Sequence, residues 1–483
     1  MLFNSVTFLV FYVVVFALYW ALRRREWQNL LLIGASYVFY GTWSWKFLLL
    51  LIFSTLFDYG CARAVASATE PRRRRAFLIA SVAANLALLG TFKYAGFFQH
   101  EFAAFLDGLG FSVQPWVLHI VLPVGLSFYT FQSLGYVIDV YRGKVPAVRN
   151  LPEYALYVAF FPQLVAGPIE RAAHMLPQYR AERVFNGAAV ESGLMLMAWG
   201  LFKKMVIADN LAPYVNAVFA HPADYSGMGL FTAVLFFTFQ IYGDFSGYSD
   251  CARGVARTLG FDLMVNFNLP YFSRNPVEFW QRWHISLSQW FQDYLYFPLA
   301  LRYMRRGGWA SKYKAHIISF LLIGLWHGAN WTFIVFGLYW GLVIAGFLYF
   351  QERRAESGEE SAPTRWGTAL SVAVTFIIAC VGWVLFRAPS LGAAASVMAG
   401  LFRTTGANAV LRPDVADVSS LWLLVAGLWI VECCYRLAPQ LLAGLTATPT
   451  RRLLLRHALL VIIVVVYLAS QQHKILPFIY FQF

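Results

Sequence analysis

The sequence predicts an all-α, polytopic membrane protein, and three observations carry that prediction. First, 59% of the 483 residues are hydrophobic and only 13% are charged, too little polar surface for a soluble chain of this length. Second, apolar runs of roughly 17–25 residues, enough to cross a bilayer, recur along the chain. Third, Lys and Arg fall in short segments between those runs, as cytoplasmic loops require. The lipid bilayer is therefore the first expected partner. Phe, Trp and Tyr make up 18% of the chain, which suits aromatic belts at the two interfaces.

The runs lie near 6–22, 28–44, 47–66, 76–97, 115–137, 190–208, 228–243, 315–330, 332–350, 367–387, 419–436 and 454–470. Some are marginal, so about 10–12 spans are expected. The first run is longer than the apolar region of a signal peptide and lacks a small-residue cleavage site, so it reads as a retained span. Arg23, Arg24 and Arg25 follow it and place its far end in the cytoplasm, with the N-terminus outside. The nearly uncharged turn 41–46 is then outside. Arg72–Arg75, the loop with Arg142, Lys144 and Arg149, and the polar stretch 351–365 are inside. Arg451, Arg452 and Arg456 precede the last run and leave the C-terminus outside as well.

Between about 151 and 306 the pattern changes. Phe160–Arg171 reads FFPQLVAGPIER, and Pro162, Gly167 and Pro168 forbid a regular helix across it. Irregular backbone at membrane depth survives only when buried in protein or lining a wet cavity, so a re-entrant or interfacial segment is expected. The stretch 277–306 alternates aromatic and polar residues and reads as a helix lying in the cytoplasmic interface. There is no internal repeat, and no loop is long enough to be a separate soluble domain. The expectation is one integral membrane domain over 1–483, with N-terminal spans in 1–150, a core in 151–350 and C-terminal spans in 351–483.

The formal net charge is +14. In this setting it is the positive inner face of a membrane protein, and nucleic acid is not an expected partner. The five cysteines, Cys61, Cys251, Cys380, Cys433 and Cys434, form no CxxC pair and no Cys/His cluster with metal-ligand spacing. No metal site is expected.

Two histidines stand out in 271–331. His327 follows ISFLLIGLW and precedes Gly328-Ala329-Asn330. Eleven residues beyond His316, at 1.5 Å each, it lies roughly 16 Å along a helix, near mid-membrane. A titratable side chain at that depth is costly and marks a functional candidate. The alternative is a core histidine bonded to a backbone carbonyl. The Gly-Ala-Asn sequence could end the helix and open space beside His327, with Asn330 and Trp331 walling the same pocket. His284 sits in QRWHISLSQW, where helical spacing puts Trp280, His284 and Ser288 on one face. The alternative there is a histidine facing lipid headgroups.

Other polar residues at depth are less specific. Asp244, Ser246, Ser249 and Asp250 in IYGDFSGYSD read as caps and turn formers more readily than as a binding segment. Gln132 and Asp139 are similar. Lys203 and Lys204 could meet an anionic ligand or snorkel to the interface. The chain has no GxSxG elbow, no P-loop and no HExxH.

Several strings carry a family resemblance: LPVGLSFYTFQSLGYVIDVYRG (122–143), FPQLVAGPIER (161–171), DFSGYSDCARGVARTLGFDLMVNFNLPYFSRNPVEFWQRWHISLSQW (244–290), GLWHGANWTFIVFGLYWG (324–341) and the closing PFIYFQF (477–483). In order along the chain, they resemble membrane-bound O-acyltransferases, of the branch that includes the alginate O-acetyltransferase membrane subunit and the teichoic-acid D-alanyl transferase. The resemblance implies a ring of spans around a central tunnel with a thin partition. It implies that His327 is the active-site histidine and His284 the second one, with Trp280, Arg282 and Trp283 around it. It further implies a thioester donor from the cytoplasm, acetyl-CoA or another acyl-CoA, and no tightly bound cofactor. The acceptor would be an exported polysaccharide such as alginate, with a periplasmic acetyltransferase partner, in a bacterial inner membrane with both termini periplasmic.

Elementary chemistry agrees with that scheme. Transfer of an acyl group to a hydroxyl needs a base, and neutral histidine suits the task near pH 7. His284 could orient the thioester or stabilise the oxyanion. Arg274, Arg282, Arg305 and Arg306 could attract the phosphates of a CoA-like donor. Broken helices and midplane polar groups also mark transporters, so a flippase for a polyprenyl- or polysaccharide-linked substrate, or an export scaffold without acyl transfer, remains the alternative.

Overall fold

The structure is a computed structural model that describes residues 1–111, 122–165, 167–305, 311–358, 364–404, 418–437 and 479. All regular structure among these residues is helical. The helices are α1 (Val6–Ala21), α2 (Arg25–Gly41), α3 (Trp45–Ser67), α4 (Pro71–Leu89), α5 (Ala95–Gly108), α6 (Leu126–Tyr141), α7 (Leu151–Ala159), α8 (Phe161–Leu164), α9 (Ala172–Arg180) and α10 (Gly187–Leu201). They continue with α11 (Asp209–Ala220), α12 (Gly227–Thr258), α13 (Pro276–Arg282), α14 (Ile285–Phe291), α15 (Phe297–Met304), α16 (Ser311–His327), α17 (Trp331–Glu356), α18 (Arg365–Arg387), α19 (Leu391–Gly400) and α20 (Val418–Leu437).

Six helical stretches among the described residues are long and apolar enough to cross a membrane: Trp45–Ser67, Pro71–Gly108, Gly227–Thr258, Trp331–Glu356, Arg365–Arg387 and Val418–Arg436. The protein is a polytopic membrane protein. The apolar α1 is shorter, at 16 residues. The expected span at 454–470, the start of the one at 115–137 and the arginines at 451, 452 and 456 lie outside the described residues.

The chain divides into two compact units, Met1–Gly193 with Val255–Met264, and Leu194–Gly254 with Val265–Phe483. The first unit solves the problem of a carboxylate inside a span. Asp58 of α3 is fully buried and accepts from Ser81 Oγ at 2.6 Å and from Asn85 Nδ2 at 2.9 Å, both on α4. Each donor replaces a water that the bilayer cannot supply. The FFPQLVAGPIER stretch is irregular, as its prolines and glycine require. Among its described residues only the single turn α8 is helical, and Phe160 to Leu164 are all buried.

In the second unit, IYGDFSGYSD departs from its expected role. It lies inside α12, a continuous 32-residue helix, and not in a turn. Asp244 and Asp250 are charge partners. Lys203 Nζ contacts Asp250 at 2.6 Å and donates to Ser246 Oγ at 2.8 Å. Lys204 Nζ lies 2.5 Å from Asp244 and 2.8 Å from Asp209. Neither lysine snorkels: both are buried, and these acids hold their ammonium groups within the protein.

The helices α16 and α17 form a closely packed hairpin. A Cβ on Gly324 would collide with the Phe333 carbonyl oxygen and come within 2.9 Å of Gly337 Cα. Small residues at such a crossing let two backbones touch, which is how spans gain packing energy without a hydrophobic drive between them. This hairpin carries His327 at its bend.

Candidate functional site

His327 is the last residue of α16, and α17 begins at Trp331. The break comes from Asn330. Its side chain accepts from Thr332 N at 3.1 Å as the α17 N-cap, and its Nδ2 donates to the Pro389 carbonyl at 3.1 Å. Asn330 thus serves as the cap of α17, and Trp331 beside it is 49% exposed. The imidazole is 4% exposed and sits among rings: Trp326 at 4.9 Å, Phe386 at 5.1 Å and Phe336 at 5.8 Å between centroids.

His284 corrects the expectation of one continuous interfacial helix. The helix α13 stops at Arg282, where Trp283 N–H caps the Phe279 carbonyl at 2.8 Å. His284 follows in the left-handed region, with φ 44° and ψ 53°, and α14 starts at Ile285. The i,i+4 face of Trp280, His284 and Ser288 therefore does not exist. The bend persists because Asn266 captures the next donors: its backbone oxygen takes Ile285 N–H at 2.9 Å and its side-chain oxygen takes Ser286 N–H at 3.2 Å. A non-glycine residue at positive φ is strained, and these bonds hold it there. Ser288 Oγ turns back to donate to the Trp283 carbonyl at 3.3 Å.

The imidazole of His284 is fully buried. Its Nδ1 lies 3.2 Å from Asn266 Oδ1, and Phe245 packs edge-on against the ring at 4.6 Å. Trp326 lies 6.0 Å from it, so the indole beside His327 is also a neighbour of His284. The structure thus sets both histidines, 43 residues apart in sequence, against one indole. Trp280 and Trp283 complete the aromatic surround: Trp280 packs against Trp340 at 5.2 Å and Phe320 at 5.1 Å, and Trp283 against Trp383 at 4.6 Å. Such walls exclude water, which strengthens every electrostatic interaction inside them.

The arginines are elsewhere. Arg282 contacts Glu278 at 2.8 Å, and Arg274 contacts the same carboxylate at 3.2 Å. With Asn268, Gln281 and Gln351 they line a polar cleft of about 460 Å³. Arg305 is exposed at the end of α15, and Arg306 lies outside the described residues. The cleft and the histidine pair share α13, whose far end leads to His284.

Sequence reasoning missed Asn266, Trp326, Trp383 and Phe386. Asn266 is 18 residues from His284 and stands in VNFN, a string with no spacing signal. The three rings read as ordinary span residues until the fold sets them against the imidazoles.

Residues 144–386 match the model of the membrane-bound O-acyltransferase family, and both histidines fall within that range. The chain is 40% identical over 405 residues to the probable alginate O-acetylase of Azotobacter vinelandii, covering 83% of this chain and 78% of that protein. It is 34% identical to the peptidoglycan O-acetyltransferase of Helicobacter pylori, covering 79% and 75% respectively. It is 26% identical to the teichoic acid D-alanyltransferase of Streptococcus thermophilus, covering 60% and 75%. With two thirds and more of these proteins spanned and the family core matched through both histidines, the chain belongs to the membrane-bound O-acyltransferase family and is an O-acyltransferase.

Proposed function

We propose that the protein takes an acetyl group from a cytoplasmic thioester, acetyl-CoA, and passes it across the membrane for O-acetylation of an exported polysaccharide, alginate or a related exopolysaccharide. The relatives that act on alginate and peptidoglycan support the class of acceptor. The single observation that carries the chemistry is the buried histidine at the α16–α17 bend, walled by Trp326, Phe336 and Phe386. In this scheme His327 takes the proton of the acceptor hydroxyl as its oxygen attacks the thioester carbonyl. The carbon–oxygen bond forms, the carbon–sulfur bond breaks, and the thiolate leaves to be protonated. Trp280 and Trp283 hold the water-poor surround, while Arg282 and Arg305 favour an anionic donor at the inner face.

The polysaccharide is reached through a periplasmic acetyltransferase partner, and the protein sits in a bacterial inner membrane with both termini periplasmic. A cysteine placed at Ser357 should react with an impermeant thiol reagent only after permeabilisation, and labelling in intact cells would reverse this orientation. Acetyl-CoA turnover by the purified protein tests the chemistry. Release of free CoA that depends on acceptor and disappears in His327→Ala supports the scheme, and wild-type turnover in His327→Ala refutes it.

A further inference from the structure

Asn266 is 1% exposed and its side-chain oxygen faces three groups: Ser286 N at 3.2 Å, Ser286 Oγ at 2.9 Å and His284 Nδ1 at 3.2 Å. The amide orientation is not ambiguous. A backbone N–H can only donate, so the atom that meets Ser286 N must be the oxygen. The other end agrees, since Asn266 Nδ2 donates to Ser249 Oγ at 3.3 Å. An amide oxygen can only accept, so His284 Nδ1 must carry the hydrogen of that contact. In a neutral imidazole one nitrogen is a donor and the other an acceptor. The lone pair is therefore on Nε2.

We propose that Asn266 is a positioning residue that locks neutral His284 in its Nδ1–H form, so that the ring presents a proton-accepting Nε2 to the reaction centre. The expectation that His284 stabilises an oxyanion changes accordingly: a neutral ring held this way has no N–H left at Nε2, and becomes a donor there only after taking a proton. Three contacts fix the geometry as well as the tautomer, because the bonds from Ile285 N and Ser286 N to Asn266 hold the left-handed backbone of His284 itself. The functional meaning rests on the acyltransferase scheme above, but the tautomer does not.

Nuclear magnetic resonance of protein labelled with ¹³C and ¹⁵N in histidine reads the tautomer directly, with His284 assigned by its loss in His284→Gln. At pH 8, where an ordinary histidine is neutral, wild type should show the Nδ1–H form. Asn266→Asp keeps an acceptor oxygen and should keep it. Asn266→Ala should release it to a mixture. An Nε2–H ring in wild type overturns the proposal whether or not the protein transfers acetyl groups. In the assay, Asn266→Ala should lower kcat about 10- to 100-fold, the usual loss for a partner that orients an imidazole, with the donor KM unchanged. In a His284→Gln background the same substitution should cost nothing further. A further loss of the same size in that background would make Asn266 a general structural residue and refute the positioning role.

Discussion

Replacing Lys204, which lies between α10 and α11 and pairs with Asp244 of α12, with methionine should be among the most damaging single changes in the second unit, although it touches neither histidine. The ammonium lies 2.5 Å from Asp244 and 2.8 Å from Asp209, with side-chain exposures of 4%, 3% and 22%. Asp244 is also committed elsewhere, accepting from Ile479 N at 2.6 Å. At an effective dielectric of about 20, each contact is worth roughly 6 kcal/mol of Coulomb attraction, most of it offset by the desolvation of the ions. Breaking a buried pair leaves an uncompensated charge and costs about 3–5 kcal/mol. Lys204→Met leaves two carboxylates facing each other, so the upper end of that range is expected. Lys204→Met with Asp244→Asn removes one of the stranded charges and should be less destabilised than the single variant. Asp209→Asn alone should be mild, since Lys204 keeps Asp244. Reversible unfolding in detergent measures all three against wild type. A Lys204→Met protein within about 0.5 kcal/mol of wild type, or a double variant worse than the single, would refute this view of the cluster.

Three further outcomes follow. The hydrogen bond from His174 to Glu170, 2.8 Å long, and the charge of that buried carboxylate hold the imidazole above its ordinary value of 6.5. Its contribution is therefore full below pH 6.5 and fades as pH rises through the higher folded value. Wild type should lose more stability than His174→Gln between pH 6 and pH 8, and parallel losses would show no linkage. Gly324→Ala forces the α16–α17 backbones apart and should cost about 1–3 kcal/mol, with activity falling alongside because His327 rides on that hairpin. An alanine variant with wild-type melting and turnover would contradict the crossing. Replacing Arg282, Arg305 and Arg306 together with alanine should raise the donor KM more than it lowers kcat, the sign of lost ground-state binding. An unchanged KM would leave these arginines to membrane topology.

The fold was legible in the sequence wherever one physical rule dominated. Apolar length placed α3, α4, α12, α17, α18 and α20, and the Gly-Ala-Asn after His327 marked the break between α16 and α17, because Asn330 is a strong N-cap and starts α17. Illegible features were those set by partners remote in the chain. QRWHISLSQW looks helical throughout, and only Asn266, reaching in from another segment, takes the donors that would have continued the helix. Likewise Asp244 and Asp250 read as turn formers because their sequence is rich in glycine. Their role depends on Lys203 and Lys204, some forty residues earlier, and on the cost of a lone charge in the membrane. At the site, His327 was singled out by its depth along an apolar run and His284 by its aromatic-rich setting, whereas the shared Trp326 neighbour required the three-dimensional arrangement.

The most direct measurement is acyl turnover by purified, well-folded His327→Gln. Glutamine keeps approximate size and polarity among Trp326, Phe336 and Phe386 but cannot take a proton. General acid–base catalysis contributes roughly 10²–10⁴-fold, so kcat should fall by at least that order, nearly as far as in His327→Ala, while the melting temperature stays close to wild type. If His327 serves packing alone, glutamine should restore most of the activity that alanine loses. Near-wild-type turnover in a folded His327→Gln protein would contradict the assignment of His327 as the base.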